Sequence, residues 1–215
     1  MNQEDWIHNF GITSGQEGTV IGKMFGVLVV RTHRNEIGYL AAFSGKLAGR
    51  NHHAKFVPPV FDSLAENSFL NKGMTELKQM NRKIKEEKEL RKEGYQERIV
   101  FLQLNRRKHS NSLQNKLFGH YYFLNQNGEE KSLNELFANA SYKNPPAGAG
   151  ECAGPKLLQY AFQHQMKPIA IAEFWWGQSP KSEQWKHAHY YPCCREKCEP
   201  ILVHMLAGIN CKVPI

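Results

Sequence analysis

The sequence predicts an α/β fold in which a small sheet is flanked by helices and a charged helical hairpin is inserted. Three observations predict it. A β-branched run, MFGVLVVRT, faces a second apolar run, YLAAFSGKL, across the turn HRNEIG. Residues 64–125 change to a composition dominated by Lys, Glu, Gln and Arg, with apolar residues at helical spacing. Beyond them an apolar run, KPIAIAEF, separates two segments that read as helices with cysteines at their starts.

Residues 20–47 read as the β-hairpin. Its first strand is apolar at nearly every position, which predicts cover on both faces. FVPPVFDS at 56–63 breaks regular structure, so the first part of the α/β domain is 1–63. The insertion is 64–125. Leu77, Met80 and Ile84 fall at helical spacing, as do Leu113, Leu117 and Tyr121, and Gly94 divides the segment into two antiparallel helices. Residues 126–215 are the remainder of the α/β domain. NQNGEEKSLNELFANA is a turn followed by a short helix, with Ser132 and Glu135 spaced as a capping box. YKNPPAGAGE is a loop that delivers Cys152 to a helix over 153–165. KPIAIAEF reads as a buried strand over 168–174. PCCREKCEPILVHML reads as a helix with Pro192 in its first turn.

The chain has 215 residues, 41% of them hydrophobic, enough to bury a core, and a formal charge of +8. Residues 72–120 hold eight Lys and five Arg against six Glu, an excess of seven positive charges. The insertion is therefore either a solvated helical hairpin or a basic rod that tracks phosphates, with Arg82, Arg91, Arg98, Arg106, Arg107 and Lys108 as the phosphate-binding candidates. A third reading, a coiled-coil dimerisation device, has an apolar seam of only a few turns. The start, MNQEDWIHNF, is acidic and lacks the apolar stretch of a signal peptide. No apolar run approaches the roughly 20 residues that span a bilayer, so the expectation is a cytoplasmic protein with no membrane partner.

In a reducing compartment, cysteines serve as metal ligands or free thiols more often than as disulfides. Five are present: Cys152, Cys193, Cys194, Cys198 and Cys211. Cys194 and Cys198 are four apart, which on a helix puts both thiols on one face. Cys152 opens another helix. If the strand between runs back along the sheet, both helix starts converge at one end of it, and His187 or His189 completes a tetrahedral Cys₃His zinc set. The set expected is Cys152, Cys194, Cys198 and His189, with zinc as cofactor. Cys193 points away from Cys194, and Cys211 looks incidental. The bland alternative is buried thiols packed as small hydrophobes. Trp175, Trp176, Trp185, Tyr190 and Tyr191 either fill the core around this site or stack on unpaired bases.

The order of hairpin, ligand-bearing helix, strand and two-cysteine helix resembles the zinc-dependent nucleobase deaminases, a cytidine-deaminase-like scaffold. There a glutamate two residues after the first ligand shuttles protons to an activated water. Here Gly154 stands at that position, and PCCREKC departs from the P-C-x-x-C spacing. An active enzyme of this kind, a zinc-dependent hydrolase, would need Glu151 or Glu173 instead.

A second resemblance is carried by KMFGVLVVRT, GYLAAFSGKLAG, FVPPVFD, PPAGAGECAGPKLLQYAF, KPIAIAEFWWG and HYYPCCREKCEPILVHML. These blocks, from about residue 20 to 208, look like the N-terminal extension of a subgroup of bacterial RluA-type RNA pseudouridine synthases. The resemblance implies an RNA-modification setting with rRNA or tRNA as partner, and a synthase catalytic domain in cis or in trans. Such synthases use an aspartate in an R-L-D-type motif. This chain has only Asp5 and Asp62, and neither follows an Arg-Leu pair. The expectation is therefore an RNA-associated accessory module, non-catalytic by itself, anchored by structural zinc. The alternative is the zinc-dependent hydrolase.

Overall fold

A computed structural model describes residues 8–15, 19–65, 68–138, 144–180 and 184–209. Cys211 and the first seven residues lie outside them. The fold is mixed α/β, as expected, and divides into two compact units, residues 1–61 with 121–215, and residues 62–120.

In the larger unit, β1 (Lys23–Arg31) pairs antiparallel with β2 (Ile37–Phe43) through the predicted hairpin. The sheet continues outward from the other edge of β1 with two further strands. The strand read as KPIAIAEF is β5 (Lys167–Trp176), antiparallel to β1, and the short β6 (His189–Tyr191) pairs with its end. Between β2 and β5 the chain makes a small hairpin, β3 (Tyr122–Leu124) with β4 (Glu130–Ser132), then α3 (Leu133–Ala138) and α4 (Ala153–Gln163). The capping box forms: the Glu135 carboxylate accepts from the Ser132 N–H at 2.7 Å, and the Glu135 N–H donates to Ser132 Oγ at 3.3 Å.

Helix α4 is the centre of the unit. Ala153, Leu157, Leu158 and Ala161 are all essentially inaccessible, and Lys156 and Gln159 are buried with them. It lies on the β1 face that carries Gly26, Leu28 and Val30. A methyl group at Gly26 would sit 3.0 Å from both Ala153 Cβ and Leu157 Cδ1, so the absence of a side chain there sets how closely the helix approaches. The Lys156 ammonium donates to the carbonyls of Phe43 and Gly45 at 3.0 and 3.1 Å, which ties α4 to the end of β2. On its other side, Gln159 accepts from the Leu124 N–H at 2.9 Å. Tyr121, Phe123, Leu133, Phe137, Ile201 and Met205 complete the core there.

Three sequence expectations are corrected in this unit. First, β1 is not covered equally on both sides: Gly26, Leu28 and Val30 are buried, whereas Val27 and Val29 are only half-buried. Second, β5 is not a buried strand. Ile169 and Ile171 remain 50% and 46% exposed, because β6 covers only the last part of that edge. Third, the helix read from Pro192 starts only at Glu199, as α5 (Glu199–Met205).

The smaller unit contains α1 (Phe69–Leu90) and α2 (Tyr95–Phe118). Ser68 caps α1 by accepting from the Asn71 N–H at 3.2 Å, and Gly94, in the left-handed region at φ 69°, separates the helices as predicted. Cross-contacts run in opposite senses along the two helices: Gly73 meets Leu113, Glu76 meets His109, Asn81 meets Arg106 and Glu87 meets Arg98. The pair is an antiparallel hairpin, with Leu77 and Ile84 buried along the seam. Tyr121 is not part of its periodicity; α2 ends at Phe118 and Tyr121 is a core residue of the larger unit. No described helix is long and apolar enough to cross a membrane.

Candidate metal centre

Two helix starts supply the site. Cys152 occupies the N-cap position of α4 and Cys198 that of α5. Between Cys194 and Cys198 the backbone closes one turn, with the Cys198 N–H 3.2 Å from the Cys194 carbonyl. That turn does the work assigned to a longer helix: it brings residues four apart to the same side. Strand β5 runs back between α4 and α5, so their starts come together at one end of the sheet. The Sγ atoms of Cys152, Cys194 and Cys198 all lie within 4.8 Å of one another. Those of Cys194 and Cys198 are 3.5 Å apart. A disulfide would need about 2.05 Å. A tetrahedral zinc with bonds of about 2.3 Å separates its sulfurs by about 3.8 Å. The arrangement therefore has the spacing of a metal set.

The electrostatics are those of a cluster that shares protons among its sulfurs. Hydrogen bonding with Cys152 and Cys198 holds Cys194 far below the ordinary thiol range. Hydrogen bonding with Cys194 pushes Cys152 up against the opposing effect of Cys198, and hydrogen bonding with Cys152 and Cys194 pushes Cys198 up; burial adds to both rises. Cys198 is buried, Cys152 and Cys194 are half-buried, and Cys193 is exposed. The exposed Cys193 is not a member of the cluster.

His189, expected as the fourth ligand, is not brought to the three thiols. It lies exposed on β6 opposite Trp175, with Nδ1 2.8 Å from the His187 carbonyl. His187 accepts from the Gly177 N–H at 3.0 Å. The register of β6 along β5 decides this, since it places the histidines along the outer edge. Among the described residues the cluster comprises the three cysteines alone.

A residue that the sequence made a poor candidate stands beside the cluster. Glu173 pairs across β1 with Gly26, so strand alternation aims it at the α4 side of the sheet. Its carboxylate accepts from the Gly154 N–H at 2.9 Å, two residues past Cys152. Burial raises its pKa, the Gly154 hydrogen bond opposes the rise, and the Cys194 charge adds to it. Glu151 is occupied elsewhere: its carboxylate accepts from the Tyr121 hydroxyl at 3.1 Å. The signal for Glu173 was its parity along β5, legible only once the register with β1 is known.

The aromatic residues form their own stack. Trp175 lies on Trp185 with ring centroids 6.0 Å apart, and Trp185 meets Tyr191 edge-on at 4.7 Å. Tyr190 is 75% exposed. On the helical hairpin the six basic candidates differ in availability. Arg98 bonds Glu87 at 2.9 Å, Arg106 bonds the Asn81 side chain at 2.6 Å, and Arg82 lies 3.6 Å from Glu86. Arg91, Arg107 and Lys108 are exposed.

No family model matches the chain, nor does any curated protein or solved structure.

Proposed function

We propose that this chain is a zinc-binding, RNA-associated module of an RNA-modification system. The observation that carries the metal part is the gathering of three sulfurs from two helix starts within 4.8 Å. Thiolates in this number and spacing favour zinc among the common cellular divalent ions. Bound there, the ion ties the start of α4 to the start of α5, and with them the two ends of the β5 connection. The RNA part is supported by the +8 charge, by its concentration in the helical hairpin, and by the resemblance to the extension of RluA-type pseudouridine synthases. In this reading Arg91, Arg107 and Lys108 contact phosphates first, because they are not engaged by acceptors of the hairpin as Arg82, Arg98 and Arg106 are. The module positions RNA for a synthase domain in cis or in trans.

The test is metal analysis of the purified chain. About one zinc per chain is expected, reduced by Cys152→Ser, Cys194→Ser or Cys198→Ser and unchanged by Cys193→Ser. A chain purified without zinc that takes up none on titration, with its fold intact, overturns the reading.

One observation favours a second reading, the zinc-dependent hydrolase. Structural zinc sites are closed by four protein ligands, whereas catalytic sites keep a position for water. Three thiols and a neighbouring carboxylate on Gly154 have the second character. Zinc would supply an activated water, and Glu173 would take and return its proton. X-ray absorption of the zinc-loaded chain separates the readings: four sulfur or nitrogen donors from the protein support the structural role, and three sulfurs with one light exchangeable donor support the hydrolase.

A further inference from the structure

The edge of β5 is open where β6 stops. Strand β5 pairs with β1 from Lys167 to Trp176, but on its outer side β6 meets only Glu173, Phe174 and Trp175. Among the described residues, nothing pairs with 167–172 on that side. The exposed edge reads Pro-Ile-Ala-Ile-Ala over 168–172 and carries no charge. Such edges are ordinarily blunted by lysines, prolines or bulges, since their free N–H and C=O groups template pairing with another strand. Here Lys167, Pro168 and the register shift opposite Val29 and Val30 blunt only its start.

Beside this edge lies a pocket of about 650 Å³. Leu158 of α4, Leu202 and Leu206 of α5, Ile169 and Ile171 of β5, and Tyr191 of β6 line it. Glu173 and Cys193 line its end. The edge and the pocket are therefore one groove: a row of backbone donors and acceptors with a largely apolar wall along one face.

We propose that this groove binds an extended, apolar segment of a partner polypeptide by strand addition, end to end with β6. The chemistry of the edge identifies the occupant. A row of alternating N–H and C=O groups at strand spacing is complemented by another extended backbone, and the apolar wall accepts every second side chain. No Lys or Arg lines the groove, so a nucleic-acid backbone has no counter-charge there. A second copy of the chain offers the same edge only with its own β6 attached, which limits a two-fold pairing to the few residues between Pro168 and Ala172. The inference does not depend on zinc or on RNA, though the groove ends at Glu173, the proton-transfer group of the hydrolase reading.

The experiment uses the isotopically labelled full chain and a seven-residue peptide, capped at both ends, that alternates valine with threonine. Two versions of it carry N-methyl groups on alternate amides, one version for each phase. The expected result is saturable binding with shifts at the amides of residues 169–172 and the methyls of Ile169 and Ile171. Methylation in one phase should weaken binding at least tenfold, because it removes the donors that face the edge, and the other phase should bind much as the parent does. Ile169→Lys should weaken the parent peptide about tenfold with the thermal midpoint unchanged. Equal binding of all three peptides overturns the proposal in favour of an apolar side-chain cavity. No binding at millimolar peptide overturns it outright. Sedimentation as a dimer that Ile169→Lys dissociates overturns it in favour of a second copy.

Discussion

The Glu173 carboxylate accepts a 2.9 Å hydrogen bond from the Gly154 N–H, joining the outer part of the sheet to the first turn of α4 beside Cys152. Each end of that bond has a distinct consequence when altered. Glu173→Gln keeps an acceptor for Gly154 and removes the charge. Zinc content and thermal midpoint should stay close to those of the parent, and any hydrolytic activity of the loaded chain should fall by 100-fold or more, as removal of a proton-transfer group typically causes. Glu173→Leu leaves the Gly154 N–H without that acceptor and should cost about 1–3 kcal/mol in denaturant unfolding. If both variants unfold alike, the hydrogen bond is not what the carboxylate contributes.

Lys156 gives the fold a pH signature. Burial lowers its pKa from 10.5 to about 8, against the opposing pull of Glu151. Below about 8 the lysine is charged in folded and unfolded chains alike, and the cost of burying that charge is carried in full. Between about 8 and 10.5 the folded chain releases the proton while the unfolded chain retains it. The Lys156 contribution to stability therefore rises with pH in that window, since for this group the unfolded state binds more protons. Lys156→Met should remove that rise relative to the parent; Lys23, whose pKa burial also lowers, acts in the same sense, and Cys152, Cys193, Cys198 and Tyr121, held above their ordinary values in the fold, act in the opposite sense in both chains. Urea midpoints at pH 7, 8, 9 and 10 check it. An undiminished rise in the variant would assign the effect to other groups.

On the helical hairpin, availability predicts a ranking. Arg107→Glu and Lys108→Glu should weaken RNA binding more than Arg98→Glu, which is engaged by Glu87 at 2.9 Å. Each lost phosphate contact should also reduce the slope of log affinity against log salt by about 0.7–0.9. Filter binding between 50 and 200 mM salt measures both quantities. Equal effects at the three positions would mean that the hairpin contributes only diffuse charge.

How far the sequence carries this architecture differs element by element. Gly94 between two charged amphipathic runs announced the helical hairpin, and Ser132 with Glu135 announced a cap, because both signals are local. The convergence of Cys152 with Cys194 and Cys198 was also legible, since a strand between two helices returns the chain to the same end of a sheet. The β3–β4 hairpin was missed: its strands are three residues each, too short for alternation to register. The start of α5 was misplaced because CCREKC has helical composition, while the chain leaving β6 makes a single turn there first. His189 was expected at the metal from chain proximity alone, and only the register of β6 on β5, a non-local property, shows it on the outer edge. Another non-local register, that of β5 on β1, raises Glu173 from a poor candidate to the group beside the cluster.

The closeness of α4 to β1 should control the metal centre through a glycine that touches no thiol. A side chain at Gly26 begins 3.0 Å from Ala153 Cβ and Leu157 Cδ1, both fully buried. Gly26→Val adds two methyl groups beyond that point, so α4 must shift. Overpacking of this kind costs about 1–3 kcal/mol. Because Cys152 caps α4, the shift also moves one sulfur away from the pair held by the turn between Cys194 and Cys198. Zinc affinity should therefore fall together with stability, by tenfold or more in competition with a chromogenic chelator. Gly154→Ala is the control: its new methyl meets Glu173 Oε1 at 3.6 Å and Ile171 Cδ1 at 3.7 Å, ordinary contacts, and alanine is the better helix former by about 1 kcal/mol. That variant should keep zinc affinity and be as stable as the parent or slightly more so. Retention of full zinc affinity in a destabilised Gly26→Val would show that the thiols are positioned by the loops alone, without the packing of α4 on the sheet.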